Sequence, residues 1–344
     1  MRKWYEEEGE YSDVVISSRI RLARNLKKYP FSPKLSEEQA VALNHEVMEK
    51  LEDIKNESGT YLTCSINHMD EISRLSMLER YIISPIMVEK KQETGLMVAP
   101  DERASIMINE EDHLRIQSLT GAMNMKKALE EAYKIDDYIE EKLDISYHNQ
   151  YGYLTACPTN VGTGLRASYM VFLPALDAAG NMTQLMNEAG KFGVTIRGMY
   201  GEGTKACASI YQISNQKTLG MSEEDIIEKL DSVVLQVIHQ EQKRREHILN
   251  TNFSVLEDQI YRSYGVLKYA KQINTKDAMT LLSQLKFGED TKTVTLEKPN
   301  MIFRMMMEIQ PANLQQKLGK IAGSAQRDQK RAEYINMYLP ELIK

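Results

Sequence analysis

The sequence predicts an α+β fold: an antiparallel sheet flanked by helices, followed by an all-helical C-terminal region. Three observations carry that prediction. Short β-favouring runs alternate with helical segments as far as Gly220, most runs are joined by tight turns rather than crossover helices, and beyond Gly220 the apolar spacing is almost wholly helical. At roughly 150 residues per domain, 344 residues suggest two domains, each able to bury a core. The change of character places the boundary near 250, giving a first domain of 1–250 and a helical domain of 251–344.

In residues 13–23, Val14, Ile16, Ser18, Ile20 and Leu22 share one parity, while Ser17, Arg19 and Arg21 share the other, as in a half-buried strand. Helical spacing follows over 36–57 and 70–92, with Ser36 as N-cap and Glu37 and Glu38 in the first turn. After Gly95 the runs 96–99 and 104–108, the acidic turn Asn109-Glu110-Glu111-Asp112 and the run 113–119 read as strands about a turn. A charged amphipathic helix spans 125–143. A Gly/Thr-rich loop then leads into the β-favouring run 169–173, and a helix over 182–192 precedes a hairpin of 194–199 and 206–213 about a Gly-rich turn at 201–203. Ser222 caps a long helix reaching about 249.

Composition excludes several classes of function. With 43 Lys+Arg against 49 Asp+Glu, the net charge of −6 and the absence of a broad basic run argue against direct nucleic-acid binding. The longest apolar stretch, 169–176, is too short to span a membrane, and residues 1–13 lack the apolar segment of a signal peptide, so a cytoplasmic location without membrane partner is expected. Three scattered cysteines, Cys64, Cys157 and Cys207, form neither a disulfide framework nor a zinc site, and the histidines lack metal-ligand spacing; no protein-held metal is expected.

Chemistry concentrates in five arginines, Arg19, Arg21, Arg115, Arg166 and Arg197, on polar faces of expected strands or beside Gly loops. Taken singly, each suits an ordinary surface salt bridge. As a set on one sheet they would aim rigid guanidinium forks into a single groove, which suits a polyphosphate. The segment from Cys157 to Ser168 places Gly162 and Gly164 where backbone N–H groups could approach an anion. Gly162-x-Gly164-x-x-Ala167 and Gly201-x-Gly203-x-x-Ala206 fit a dinucleotide fingerprint as bare patterns, but both lead into β-like runs rather than helices, and no Walker A sequence is present. Two acidic clusters, Glu110-Glu111-Asp112 and Gly201-Glu202-Gly203, suit solvated turns when taken alone. Beside arginine-bearing strands, they could hold a guanidinium substrate and accept its proton. Cys157 could be a nucleophile, but no histidine is tied to it by motif.

With these residues assembled, the chain resembles the bacterial protein-arginine kinases of the McsB type, relatives of the phosphagen (arginine and creatine) kinase catalytic domain. The likeness runs from about Asp13 to Ile343, through the segments 17–25, 109–117, 157–168, 197–203 and 212–216. It implies a kinase that moves the γ-phosphoryl of Mg-ATP to protein arginine side chains. The nucleotide would be held by Ser17, Ser18, Arg19, Ile20, Arg21, Tyr81, Arg115, the loop Arg166-Ala167-Ser168-Tyr169-Met170, and the turn Arg197-Gly198-Met199-Tyr200-Gly201-Glu202. Glu111 and Glu202 would position and deprotonate the guanidinium, with Cys157 in a supporting electrostatic role. Sixteen residues precede Ser17, where phosphagen kinases place a helical domain over a small substrate, so an open site is expected. Arg327, Asp328, Arg331 and Ala332 match the family's allosteric phosphoarginine-binding motif; Arg327 and Arg331, one turn apart, could share a phosphate while Asp328 pairs with the guanidinium.

The resemblance also implies a homodimer through the helical domain and several partners: protein substrates with exposed arginines, a Clp-type unfoldase or protease, a stress-gene repressor and a small zinc-binding activator. Two residues depart from the pattern: Lys205 stands where many relatives are acidic, and Tyr81 where the family shows a nucleotide-contacting histidine. The alternatives are a phosphagen kinase acting on free arginine and a catalytically weak phosphoarginine-binding adaptor.

Overall fold

A computed structural model describes residues 3–199, 206–298, 301–319 and 323–343. Its frame is an eight-stranded sheet of β1 (Val15–Arg24), β2 (Leu62–Ser65), β3 (Gly95–Val98), β4 (Ala104–Ile108), β5 (Leu114–Gly121), β6 (Leu165–Phe172), β7 (Val194–Gly198) and β8 (Ile210–Asn215). The spatial order is β7-β8-β6-β1-β5-β4-β3-β2, and every neighbouring pair is antiparallel. β1 is central because its β-branched and polar residues alternate, so each face finds a different partner layer.

That alternation slips once. A bulge between Val15 and Ser17 shifts the register against β6, so Val14 and Val15 join Ile20 and Leu22 in one core while Ile16 packs on the opposite face with Trp4 and Phe172. The expectation that Ile16 shares the face of Ile20 is corrected by this bulge.

The first face is covered by α1 (Glu37–Lys50), α4 (Met125–Lys142), α6 (Met182–Lys191) and α7 (Glu223–Thr251), which contribute Leu43, Ala132, Leu185 and Val234 to its core. Ser36 and Gln39 close a reciprocal capping box on α1, which ends at Lys50 rather than near 57. The expected helix over 70–92 is two pieces, α2 (Glu71–Glu79) and α3 (Pro85–Glu89). Tyr81 takes a left-handed φ of 61° between them, Ser84 caps α3, and Pro85, which has no N–H to donate, opens it. The final strand starts at Ile210 rather than 206, because Ala208 and Ser209 have φ of 60° and 54°, which no strand accommodates.

The second face is only partly covered. At one edge α2 and α3 seat Ile82, Ile83 and Met87 on Leu96, Val98 and Met107. Toward the ends of the central strands, Leu119, Met170, Phe172 and Ile210 share a core with Trp4 and the C-terminal helices α8 (Phe253–Tyr269), α9 (Thr275–Asp290), α10 (Met301–Glu308), α11 (Pro311–Leu318) and α12 (Gly323–Tyr338). The short helix α5 (Pro174–Ala178) follows β6. Two-residue strands, 295–296 and 342–343, pair within the otherwise helical region. No helix among the described residues is long and apolar enough to cross a membrane.

One arginine of β1 belongs to the scaffold. Arg24 is 1% exposed, pairs with Asp136 of α4 at 2.6 Å and lies over the Tyr153 ring at 3.4 Å. Replacing Arg24 with alanine leaves Asp136 buried without its partner, so a loss of about 3–5 kcal/mol is expected in urea denaturation. A loss below about 1 kcal/mol would show that the pair is dispensable.

Candidate active site

Residues directly opposite in an antiparallel pair share a face. Arg21 faces Arg166 on one side and Gln117 on the other, Arg19 faces Ser168 and Leu119, Arg115 faces Ala23, and Arg197 faces Gln212. The register therefore brings all five arginines to the uncovered strip of the second face, where they line a groove of about 830 Å³ together with Glu110, Glu111, Asp112, Cys157 and Tyr81.

The groove is charged and incompletely satisfied. Arg19 donates from Nε to Ser168 Oγ at 3.3 Å and from Nη2 to Gln212 Oε1 at 2.6 Å, and Arg115 pairs with Glu110 at 2.6 Å. The buried Nε of Arg21 has no partner among the described residues. Burial first, and neighbouring guanidinium groups second, push Arg19 down to about 10 and Arg21 well below the usual arginine range. Arg166 is lowered by burial, then by Arg197 and Arg115. Several guanidinium groups that oppose one another's charge suit a polyanion, which would relieve all of them at once.

The acidic turn lies beside this cluster, with Asn109 at a φ of 58°. Two of its three carboxylates are structural. Glu110 is 2% exposed; its Oε1 accepts from Ser84 Oγ at 2.5 Å and Arg115 Nη1 at 2.6 Å, and its Oε2 accepts from the Glu111 N–H at 2.7 Å. Asp112 accepts from Asn25 Nδ2 at 2.7 Å and the Ala156 N–H at 2.6 Å, tying the turn to the end of β1 and to the loop carrying Cys157. Lys90 clamps the turn through Asn109 Oδ1 and the Glu110 carbonyl, each at 2.9 Å. Glu111 is left half-buried in the groove. Burial, then Glu110 and Asp112, raise its pKa above the usual carboxylate range, against opposing pulls from Arg115 and a hydrogen bond with Cys157. The Cys157 thiol also lies 3.0 Å from Thr159 Oγ1.

Other expected residues are placed differently. Residues 166–170 lie inside β6, paired with β1 on one side and with β8 from Ser168 onward, so they are no loop able to close around a nucleotide. Ile20, Ala167 and Tyr169 face the helix-covered core, Tyr169 donating to Asp231 at 2.7 Å, and Ser18 bridges the Ala122 carbonyl and the Asn124 N–H at 2.8 Å each. The expectation that these four side chains meet the nucleotide is corrected by that parity. Ser17 is buried, Ser168 holds Arg19, and Met170 packs beneath with Trp4.

Gly162 and Gly164 allow close backbone packing, and Gly164 also lines the groove. A Cβ on Gly162 would lie 2.5 Å from the Thr218 carbonyl, and one on Gly164 2.7 Å from that of Ala23. Gly198 and Met199 line the groove, whereas Tyr200, Gly201, Glu202, Gly203 and Lys205 lie outside the described residues. Tyr81 lines the groove, and its carbonyl accepts from Gln117 Nε2 at 2.7 Å.

On α12, Arg331 is 1% exposed. It donates from Nε to the Ile309 carbonyl at 3.0 Å, and from Nη1 to the Ile273 carbonyl at 3.1 Å and Asp328 Oδ1 at 2.5 Å. The expected sharing of one phosphate by Arg327 and Arg331 is therefore corrected: Arg331 braces the helix junction from inside. Ala332 is buried, while Asp328 lines a separate surface cleft with Ile273, Asn274 and Asp277. The sequence did not single out Gln117 and Gln212 as groove residues, although Gln117 shares the parity of Arg115, and it did not separate the role of Glu110 from that of Glu111.

A family model for the C-terminal catalytic domain of ATP:guanido phosphotransferases matches residues 42–244, and one for the C-terminal domain of the protein-arginine kinase McsB matches 254–343. The chain is 39% identical over 342 residues to the protein-arginine kinase of Desulforamulus reducens, covering 99% of this chain and 96% of that protein. It is 42% identical over 334 residues to that of Caldanaerobacter subterraneus, covering 95% and 97%. Among solved structures, the duplicated taurocyamine kinase of Schistosoma mansoni with bound transition-state analogue components aligns with a TM-score of 0.62 at 22% identity, over 77% of this chain and 38% of that longer one. A lombricine kinase aligns with a TM-score of 0.60 at 24% identity over 67% of each chain. These structures share the fold: an antiparallel sheet flanked by helices.

Proposed function

The chain belongs to the protein-arginine kinase family of ATP:guanido phosphotransferases, and from that premise we propose that it moves the γ-phosphoryl group of Mg-ATP onto arginine side chains of proteins. The observation that carries the reading is the juxtaposition, in one groove, of mutually opposed arginines and the half-buried carboxylate of Glu111. The phosphates of Mg-ATP lie against Arg19, Arg21, Arg115, Arg166 and Arg197, magnesium arriving as part of the substrate. Glu111 receives the substrate guanidinium.

A free guanidinium has a pKa above ~12, so its proton leaves only as nitrogen attacks. The N–P bond forms, the bond from the γ-phosphorus to the bridging oxygen breaks, ADP departs, and the proton passes to Glu111. Alignment and charge neutralisation supply most of the acceleration. Cys157, beside Glu111 in the groove, gives its carboxylate electrostatic support. Glu202 supplies the second carboxylate.

In this reading residues 1–250 carry out transfer, and residues 251–344 form the dimer and hold phosphoarginine in the Asp328 cleft beside Arg327. The protein works in the cytoplasm, where phosphorylated clients pass to a Clp-type protease and a stress-gene repressor is among them, with a zinc-binding activator raising the rate. The test is to incubate the protein with Mg-ATP and either free arginine or mixed protein substrate, and to look for acid-labile phosphoarginine by phosphorus NMR and mass spectrometry. Label on protein alone is expected. Label on free arginine instead would favour a phosphagen kinase, and none on either, with activator present, an adaptor. Adding free phosphoarginine should change the rate for wild type but not for Asp328→Ala; equal responses would remove the regulatory site. Offering labelled protein to a Clp-type protease tests the downstream step, which fails if labelled and unlabelled protein are degraded alike.

A further inference from the structure

The groove has a third sector besides its arginines and its acidic turn. From Ala23, opposite Arg115, to Arg19, opposite Leu119, β1 runs about 13 Å away from Glu110 and Glu111. At that far end the lining is apolar and aromatic: Leu78, Tyr81 and Met199, joined by Glu79 and by Gln310 from the C-terminal helical region. Tyr81 lies close enough to Arg19 to act on its charge. If phosphates occupy the arginines and the reacting group faces Glu111, the base of the nucleotide falls here.

Among the described residues of this sector, Gln310 keeps one polar atom, Oε1, without a partner. It is 6% exposed, and its Nε2 donates to the Met306 carbonyl at 3.0 Å and contacts Met279 Sδ at 3.2 Å. A carbonyl only accepts, so the amide nitrogen must face Met306, leaving Oε1 for the groove. That oxygen has no hydrogen-bond partner among the described residues. Its position is fixed by a clasp: Gln310 is the N-cap of α11, whose Ala312 and Asn313 N–H groups donate to the Glu79 carboxylate at 2.9 and 2.7 Å, and Ser76 Oγ donates to Asn313 Oδ1 at 2.6 Å.

We propose that Gln310 Oε1 accepts a hydrogen bond from the exocyclic 6-amino group of adenine, so that the C-terminal helical region supplies the residue that selects the base. The proposal rests on the reading that the groove holds ATP. A 6-oxo purine would set its carbonyl lone pairs against those of Oε1 and leave both unsatisfied.

The test compares kcat/KM for protein-arginine phosphorylation with ATP and with inosine triphosphate, which presents an oxygen at the 6-position, in wild type and Gln310→Met. Wild type is expected to prefer ATP by about tenfold or more, and the methionine variant to bring the ratio within about twofold, chiefly by raising KM for ATP. Wild type that binds ATP but uses both nucleotides alike overturns the role of Gln310 without needing any variant. So does a folded variant that retains the preference. Failure of wild type to bind either nucleotide in calorimetry overturns the groove reading itself, and this proposal with it.

Discussion

Glu111→Gln is expected to lower the rate of phosphoarginine formation by about 10²–10⁴-fold, the usual range for removing a general base, while leaving ATP affinity within a fewfold of wild type. The reason lies in how the acidic turn is wired. Glu110 has both oxygens engaged, by Ser84, Arg115 and the Glu111 N–H, and Asp112, 2% exposed, is anchored through Oδ1 by Asn25 and the Ala156 N–H, so neither is placed to take over from Glu111. Glutamine keeps the shape but cannot take the proton.

Two further signatures distinguish this role from a structural one. Burial and the adjacent carboxylates raise the pKa of Glu111, so the acidic limb of kcat/KM against pH should be displaced upward from that of an ordinary exposed glutamate in wild type. The same shift means that the folded state penalises the charged form. That penalty is present above the folded pKa and disappears as pH falls through it, so removing the charge should raise Tm at neutral pH. Full activity in the glutamine variant, or an acid limb at the ordinary value, would remove Glu111 from the chemistry.

What the sequence made legible followed from local periodicity. The common face of Arg19, Arg21, Arg115 and Arg197 could be read because a strand repeats every two residues. The same rule failed at Ile16, where a bulge decided by pairing with β6 inserts one residue. The break between α2 and α3 was written in Ser84-Pro85, but the apolar spacing on either side carried a helix across it.

The acidic triplet shows a harder limit. Which of three adjacent carboxylates stays free depends on Asn25, Ser84 and Ala156, distant in sequence and brought together only by folding. Arg331 is a similar case: helical spacing puts it one turn from Arg327, yet the carbonyls of Ile273 and Ile309 draw it inward. Nothing local marks Gln310, whose relevance arises from α11 docking on α2.

Two arginines of β1, three residues apart, should respond oppositely to mutation. Arg24→Ala should destabilise the protein because it orphans Asp136. Arg21→Met should raise the Tm of the nucleotide-free protein, because it removes a desolvated guanidinium opposed by Arg19, Arg115 and Arg166. The sign follows from the depressed pKa of Arg21: the folded state penalises its charged form. With ATP the order reverses. Charge-assisted hydrogen bonds contribute about 1.5–3 kcal/mol each, so the variant should bind ATP about ten- to a hundredfold more weakly, and saturating ATP should raise its Tm less than it raises that of wild type.

The Nε of Arg21, without a partner among the described residues, thus marks free energy that folding leaves unrecovered and that a bound polyphosphate would return. Because exposed charges are screened more than buried ones, the part of ATP affinity lost on adding salt should come mainly from Arg197 at the exposed edge, and little from Arg21. Thermal melts of wild type and Arg21→Met, with and without Mg-ATP, decide the matter. A variant less stable than wild type without nucleotide, and equally stabilised by it, would mean that Arg21 serves the scaffold as Arg24 does and that the phosphates bind elsewhere.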